Sequence, residues 1–236
     1  LKLCASEKVP VTVRGAGTIF GVRYNQPLPR WGELEHRLGF GWDWRAFSSK
    51  VAQIGTSVSL VPDVTVHPIS LLYAGAYRQP SHETSYSLSV HENLPGGNDG
   101  GSSAFEAARP GARPGYLVWR YSINHNRAFS NDWQMRAGFS GQVTRDRLVA
   151  GEQFGIGGID SVRGFMEREV INDHGYRGTV EAYTPDIASL TDGLSGYRMR
   201  GVLFYDWGRV TRSEPLTSEP YRQSISSTGF GVRLSR

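Results

Sequence analysis

FGIGGIDSVRGF, Phe154 to Phe165, packs four glycines (Gly155, Gly157, Gly158, Gly164) and one arginine, Arg163, into twelve residues. Three readings compete for it. A phosphate-cradling loop needs a βαβ setting or a Gly-Lys-Ser/Thr ending, and neither is present. An ordinary surface turn accounts for the glycines, which permit positive φ, but leaves Val162-Arg163-Gly164-Phe165 without a role. The third reading depends on the flanking sequence.

Those flanks alternate with period two, the signature of strands with one apolar and one polar face. In NDWQMRAGFSGQVT, Trp133, Met135, Ala137, Phe139 and Val143 oppose Gln134, Arg136, Ser140, Gln142 and Thr144. In LEHRLGFGWDWRAF, Leu38, Phe40, Trp42 and Trp44 oppose Glu35, Arg37, Asp43 and Arg45. YLVWRYSIN sets Leu117, Trp119, Tyr121 and Ile123 against Arg120, Ser122 and Asn124. YRMRGVLFYDWG sets Met199, Leu203, Tyr205 and Trp207 against Arg198, Arg200 and Asp206, and SISSTGFGVRLS sets Phe230, Val232 and Leu234 against Gly229, Gly231 and Arg233.

The pattern predicts nine strands, at 17–28, 34–47, 66–78, 83–94, 116–127, 131–145, 174–185, 197–210 and 224–235. Soluble sandwiches alternate too. These runs of about 10–14 residues, however, exceed the usual 5–6 and suit the 9–11 of a tilted bilayer-crossing strand. Tyr24, Trp44, Tyr77, Tyr116, Trp133 and Trp207 lie toward strand ends, where interfacial girdles sit. The connections alternate short (PLPRWG, QPSHE, AFS) and long (48–65, 95–115, 146–173), as periplasmic turns and external loops do. The expected fold is therefore all-β, an antiparallel transmembrane β-barrel. The glycine-rich stretch lies in its longest external loop, 146–173. GGNDGGSSAFEAARPGARPG, between two of the strands, reads as a mobile linker without chemistry.

Composition narrows the function classes. A net charge of +4 over 236 residues and dispersed aromatics give no footprint for nucleic acid. The single Cys4 excludes an internal disulfide framework and a CxxC metal site. The six histidines, His36, His67, His82, His91, His125 and His174, show no metal spacing, and no Ser/His/Asp constellation is legible. Neither a cofactor nor a catalytic residue is expected. The opening LKLCASEKVP has no secretory signal and no initiator Met, which points to a fragment.

GGIDSVRGF, Gly157 to Phe165, resembles the VRGF loop signature of the Omp85 superfamily. GVLFYDWGRV resembles its second signature, Phe-x-Asp-x-Gly, with Phe204, Asp206 and Gly208 in place. GTVEAYTP, between them, resembles the Glu-bearing strand that follows the loop, with Glu181 and Pro185 in place. QPLPRWGELEHRLGFGWDW reads like the two-partner secretion branch, the ShlB/FhaC/HecB haemolysin secretion and activation proteins.

The resemblance implies a monomeric bacterial outer-membrane barrel of about sixteen strands, of which these nine would be a part. POTRA domains would precede the barrel and further strands would complete it. The loop residues Gly157, Gly158, Val162, Arg163, Gly164 and Phe165 would fold into the lumen. Arg163 would meet Asp206, a planar fork of donors on a carboxylate, with Phe204 and Gly208 as further latch partners on the wall, Gly164 passing close to it and Phe165 in apolar contact. Glu181 is either a second latch partner or a lumen-lining carboxylate. The implied partners are outer-membrane lipid and a secreted exoprotein of haemolysin or adhesin type. That exoprotein would cross unfolded, driven by its folding outside, past Arg136, Gln142, Arg198, Arg200 and Arg233. A barrel-assembly factor of the same superfamily and a passive porin are the alternatives.

Overall fold

The computed structural model describes residues 11–53, 62–188, 196–215, 217 and 219–236. Cys4 and part of the 48–65 and 186–196 connections lie outside them. Nine long strands form one antiparallel meander, and each pairs with the next long strand in sequence. They are β1 (Val11–Pro27), β2 (Leu34–Gln53), β4 (Pro68–Gln79), β5 (His82–Asn93), β6 (Leu117–Ala128), β7 (Gln134–Val143), β10 (His174–Tyr183), β11 (Arg198–Thr211) and β12 (Arg222–Ser235). The short β3 (Val64–Val66) pairs with β2 beside the start of β4. A separate hairpin, β8 (Phe154–Ile156) with β9 (Val170–Asn172), is cut from the long loop between β7 and β10.

The pairing register fixes the faces. Glu181 stands opposite Arg136 on β7 and Phe204 on β11, and Thr179 opposite Gly138 and Asp206. The polar sets of neighbouring strands thus share one face across the sheet. The other face is apolar and bare: Phe40, Leu71, Leu88, Trp119, Ile123, Phe139, Tyr205, Val232 and, at 88% exposed, Phe230. An uncovered apolar surface of this extent suits lipid contact and not water. Among the described residues no helix is long and apolar enough to cross a membrane.

Strand ends depart from hydropathy where pairing or turn chemistry overrules it. β1 and β2 run on together to Val11 opposite Gln53, beyond the apolar alternation, because each supplies the other's backbone partners. β7 is shorter than its pattern. At one end Asp132, at φ 65°, closes a turn onto Phe129. At the other, Thr144 leaves the ladder, its hydroxyl donating to the Leu117 carbonyl and accepting from the Asp146 amide.

Two small apolar cores lie off the bare face. The first gathers Val64, Val66, Phe105, Ala112, Tyr116, Val118, Leu148 and Val149 at the long-loop end of the sheet. It corrects two expectations. The Gly/Ser/Pro-rich segment is not a loose linker: it contains α1 (Ser102–Ala108), whose Phe105 is fully buried. Tyr116 is not an interfacial girdle residue, since it is buried in that loop core against Phe105. Hydrophobic burial of one aromatic side chain outweighs the flexibility that the surrounding glycines and prolines imply. The second core packs Ile156, Val162 and Val210 with Phe154, Phe165, Val170 and Ile225, and seats the β8–β9 hairpin on β11 and β12.

Candidate functional site

The glycines shape the loop tip. Gly157 and Gly158 stand at φ 107° and 100°, and a Cβ on Gly157 would come within 2.5 Å of the Met166 carbonyl oxygen. They fold the chain back so that Ser161 N–H donates to the Gly158 carbonyl and Arg168 N–H to the Gly157 carbonyl. The turn drives Val162 inward to full burial and aims the next side chain, Arg163, at the wall. Gly164 differs from its expected role. A Cβ there would meet nothing, so its φ of 88° is what requires glycine, and not a close approach to the wall. Close approach occurs at Gly208, where a Cβ would lie 3.0 Å from Ile156 Cγ2. Gly208 does not hold Arg163; it leaves room for β8.

Arg163 reaches β10 and β11 with every edge of its guanidinium. Nε donates to Asp206 Oδ2 at 2.6 Å and Nη2 to Asp206 Oδ1 at 2.7 Å, a bidentate fork. Nη1 donates to Glu181 Oε1 at 2.6 Å. The backbone N–H of Arg163 also donates to Asp206 Oδ2, at 3.1 Å. The guanidinium carbon sits 3.6 Å from the centroid of the Phe204 ring, a cation–π contact. Sequence reading missed Thr179, whose hydroxyl donates to Asp206 Oδ1 at 2.6 Å and accepts from Nη2 at 3.2 Å. Its face and its spacing of two from Glu181 were the available signal. Glu181 is further fixed by Tyr183, whose hydroxyl donates to Oε2 at 2.6 Å. Asp206 is fully buried and Arg163 a quarter exposed. Charges so placed bind strongly only because each has its partner and the leftover lone pairs are filled.

Two further clusters tie down the same loop, and neither was visible in the sequence. Glu152, 2% exposed, accepts from Arg45 of β2 at 2.8 Å and from Arg120 of β6 at 3.1 Å. Gln142 donates to the Glu152 and Asp173 carbonyls, so it pins the loop to the wall. Asp173, fully buried, collects the bidentate Arg109 guanidinium, the backbone N–H of Leu148 at 2.9 Å and that of Ser213 at 2.8 Å. Burial alone would raise its pKa. Arg109 and the two amides outweigh that and hold the carboxyl below the usual carboxylate range. Arg200 of β11 is also engaged, in a bidentate pair with Asp132 of the β6–β7 turn. Arg136 lies over the Tyr183 ring. No group of His, Cys, Asp and Glu that could hold a metal occurs among the described residues.

A nine-stranded antiparallel wall with a bare apolar exterior and a long loop clamped to its polar face is part of an outer-membrane β-barrel with an inward-folded loop. The family model described as "Haemolysin secretion/activation protein ShlB/FhaC/HecB" matches residues 73–234, and the chain belongs to that family. The bacterial outer membrane is therefore its location, and the loop-bearing face is the lumenal one.

In structure the chain is similar to CdiB from Escherichia coli, with a TM-score of 0.78 and 16% identity over 98% of this chain and 41% of that one. It is similar to CdiB from Acinetobacter baumannii, with a TM-score of 0.72 and 15% identity over 100% and 39%. It is also similar to BamA from Haemophilus ducreyi lacking POTRA domains 1–3, with a TM-score of 0.59 and 11% identity over 92% and 48%. The chain thus spans less than half the length of these structures. None of the curated proteins matches it in sequence.

Proposed function

We propose that the chain is the wall-and-loop portion of a transporter that carries a partner exoprotein of haemolysin or adhesin type across the outer membrane by two-partner secretion. The rest of the barrel and periplasmic POTRA domains complete the machine in this reading. The observation that carries it is the Arg163 clamp. This one loop arginine occupies two wall carboxylates, a threonine and an aromatic ring together. In a transporter the clamp holds the loop in one defined position in the lumen. Arg163, Asp206, Glu181, Thr179 and Phe204 are positioning residues, and none performs covalent chemistry. Family membership supports transport over enzymatic work.

The test uses the full-length parent protein expressed with its candidate partner. Export to surface and medium is measured for Arg163→Ala, Asp206→Ala and the double variant, with barrel insertion checked in each. Export is expected to fall at least tenfold in each single variant while the barrel still inserts. The double variant should be no worse than the singles, because residues acting as one unit are not additive. Unchanged export would remove the clamp from the mechanism; no export by the wild type with an inserted barrel would favour a passive porin.

A further inference from the structure

One rung of the lumenal wall reads Arg37, Ala74, Ser87, Ser122, Ser140, Arg177, each residue opposite the next on six neighbouring strands. The four between the arginines are small, so the wall is recessed there. Ser87 and Ser122 share a hydrogen bond of 2.8 Å, and Arg177 Nε donates to Ser140 Oγ at 3.2 Å. The root of the long loop crosses above this recess. Between wall and loop is a polar cavity of 480 Å³, with Arg120, Arg168, Arg177, Ser122 and Ser140 in its lining. Arg168 is held in the left-handed region, φ 52°, while Nη2 donates to the Gln153 carbonyl at 3.0 Å. That strained backbone aims its guanidinium at the cavity.

Charge is unbalanced in this cavity. Asp43 is occupied by Arg23 and Arg45, and Glu152 by Arg45 and Arg120. Glu181 and Asp206 are occupied by Arg163. Arg168 and Arg177 pair with no carboxylate among the described residues, and guanidinium does not lose its proton. A cleft lined by one sign of charge focuses its field on an incoming opposite charge. Two planar forks and a row of hydroxyls suit a carboxylate. Arg168 is solvent-exposed and Arg177 half-buried, so binding there is weak. A passing chain requires this, because a conducting site must be easy to leave.

We propose that this cavity is a transit site for carboxylates: it takes aspartate and glutamate side chains of the extended polypeptide as that chain moves through the lumen, with Arg177 and Arg168 as the binding cations. This rests on the transport reading above. The test places the full-length protein in planar bilayers and measures block of the ion current by an oligoglutamate peptide, an oligolysine peptide and free glutamate.

Oligoglutamate should block, oligolysine should not, and free glutamate should block only at far higher carboxylate concentration. Arg177→Gln and Arg168→Gln should each raise the half-blocking oligoglutamate concentration about tenfold, the loss expected of one charged hydrogen bond. Arg177→Lys should recover part of the block, and added salt should weaken it. Equal block by both peptides, or an unchanged double variant with an inserted barrel, overturns the proposal. Free glutamate as effective as the peptide makes this a small-anion site and overturns the polypeptide assignment. Partner export is measured in parallel. Export without charge-selective block removes this site and leaves transport standing; selective block without export removes transport, and the transit role with it.

Discussion

Arg163 at the tip of the long loop and Asp173 at its root are both charged anchors, yet they are built in opposite ways. At the tip a single cation leaves the loop and takes acceptors from two wall strands: Asp206, Glu181 and Thr179. At the root a single anion takes donors from three connections: Arg109 before β6, Leu148 after β7 and Ser213 after β11. The tip arginine keeps a quarter of its surface in water, while the root carboxylate has none. A partly wet side chain can leave and be rehydrated as one unit. A dry carboxylate that also satisfies two backbone N–H groups cannot leave without orphaning them. The loop thus has a dry, multiply bonded root and a tip whose charged hold is one partly wet arginine beside the apolar packing of Val162 and Phe165.

The largest effect that could break this contrast is Asp173→Ala. It leaves a guanidinium and two amides without their acceptor, a loss of about 3–5 kcal/mol in the order of a severed buried pair. Limited proteolysis of the inserted barrel should then cut the external loops at sites protected in the wild type, and loops equally resistant would end the claim of a fixed root. Acid should do the same. The folded pKa of Asp173 lies below the ordinary value of 3.8. Its contribution is therefore complete above about pH 4 and is lost as pH falls through the folded value. Loop protection should be flat from about pH 8 to 5 and fail only under stronger acid.

Arg163→Ala comes next, at about 2–3 kcal/mol of loop docking, below the root because the arginine is partly solvated. A spin label at the loop tip should become mobile while the root keeps its protease protection. Root and tip loosening together would show one cooperative unit and dissolve the contrast.

Phe204→Leu is the smallest of the three. It removes the ring under the guanidinium and keeps both carboxylates, at a cost of about 0.5–2 kcal/mol. The same spin label should report a minor population of released tips. Release as complete as in Arg163→Ala would mean that the ring, and not the ion pairs, holds the arginine.

Most of the tip was legible in the sequence and little of the root. Val162, Arg163, Gly164 and Phe165 stand out in a glycine-rich segment, and the alternation of β10 and β11 puts Glu181 and Asp206 on one face. Two details were misread. Gly164 answers to its φ and Gly208 to the close approach of Ile156, a distinction that needs backbone angles and a neighbour's coordinates. Thr179 and Tyr183 were not singled out, because a hydroxyl on a polar face has no signature until its partner is known. Asp173, Glu152 and Gln142 were invisible as anchors. Arg109 lies 64 residues from Asp173, and Arg45 lies 107 from Glu152.

The sequence by itself determined the faces of the wall. Side chains of a strand point alternately to opposite sides, so period two in hydropathy dictates which residues lie on the bare apolar face and which on the loop-bearing one. Only the tertiary structure decided how the loops are held. Burying Phe105 and Tyr116 together, and supplying one dry carboxylate with donors from three connections, depends on segments that meet in space with no local pattern to announce it.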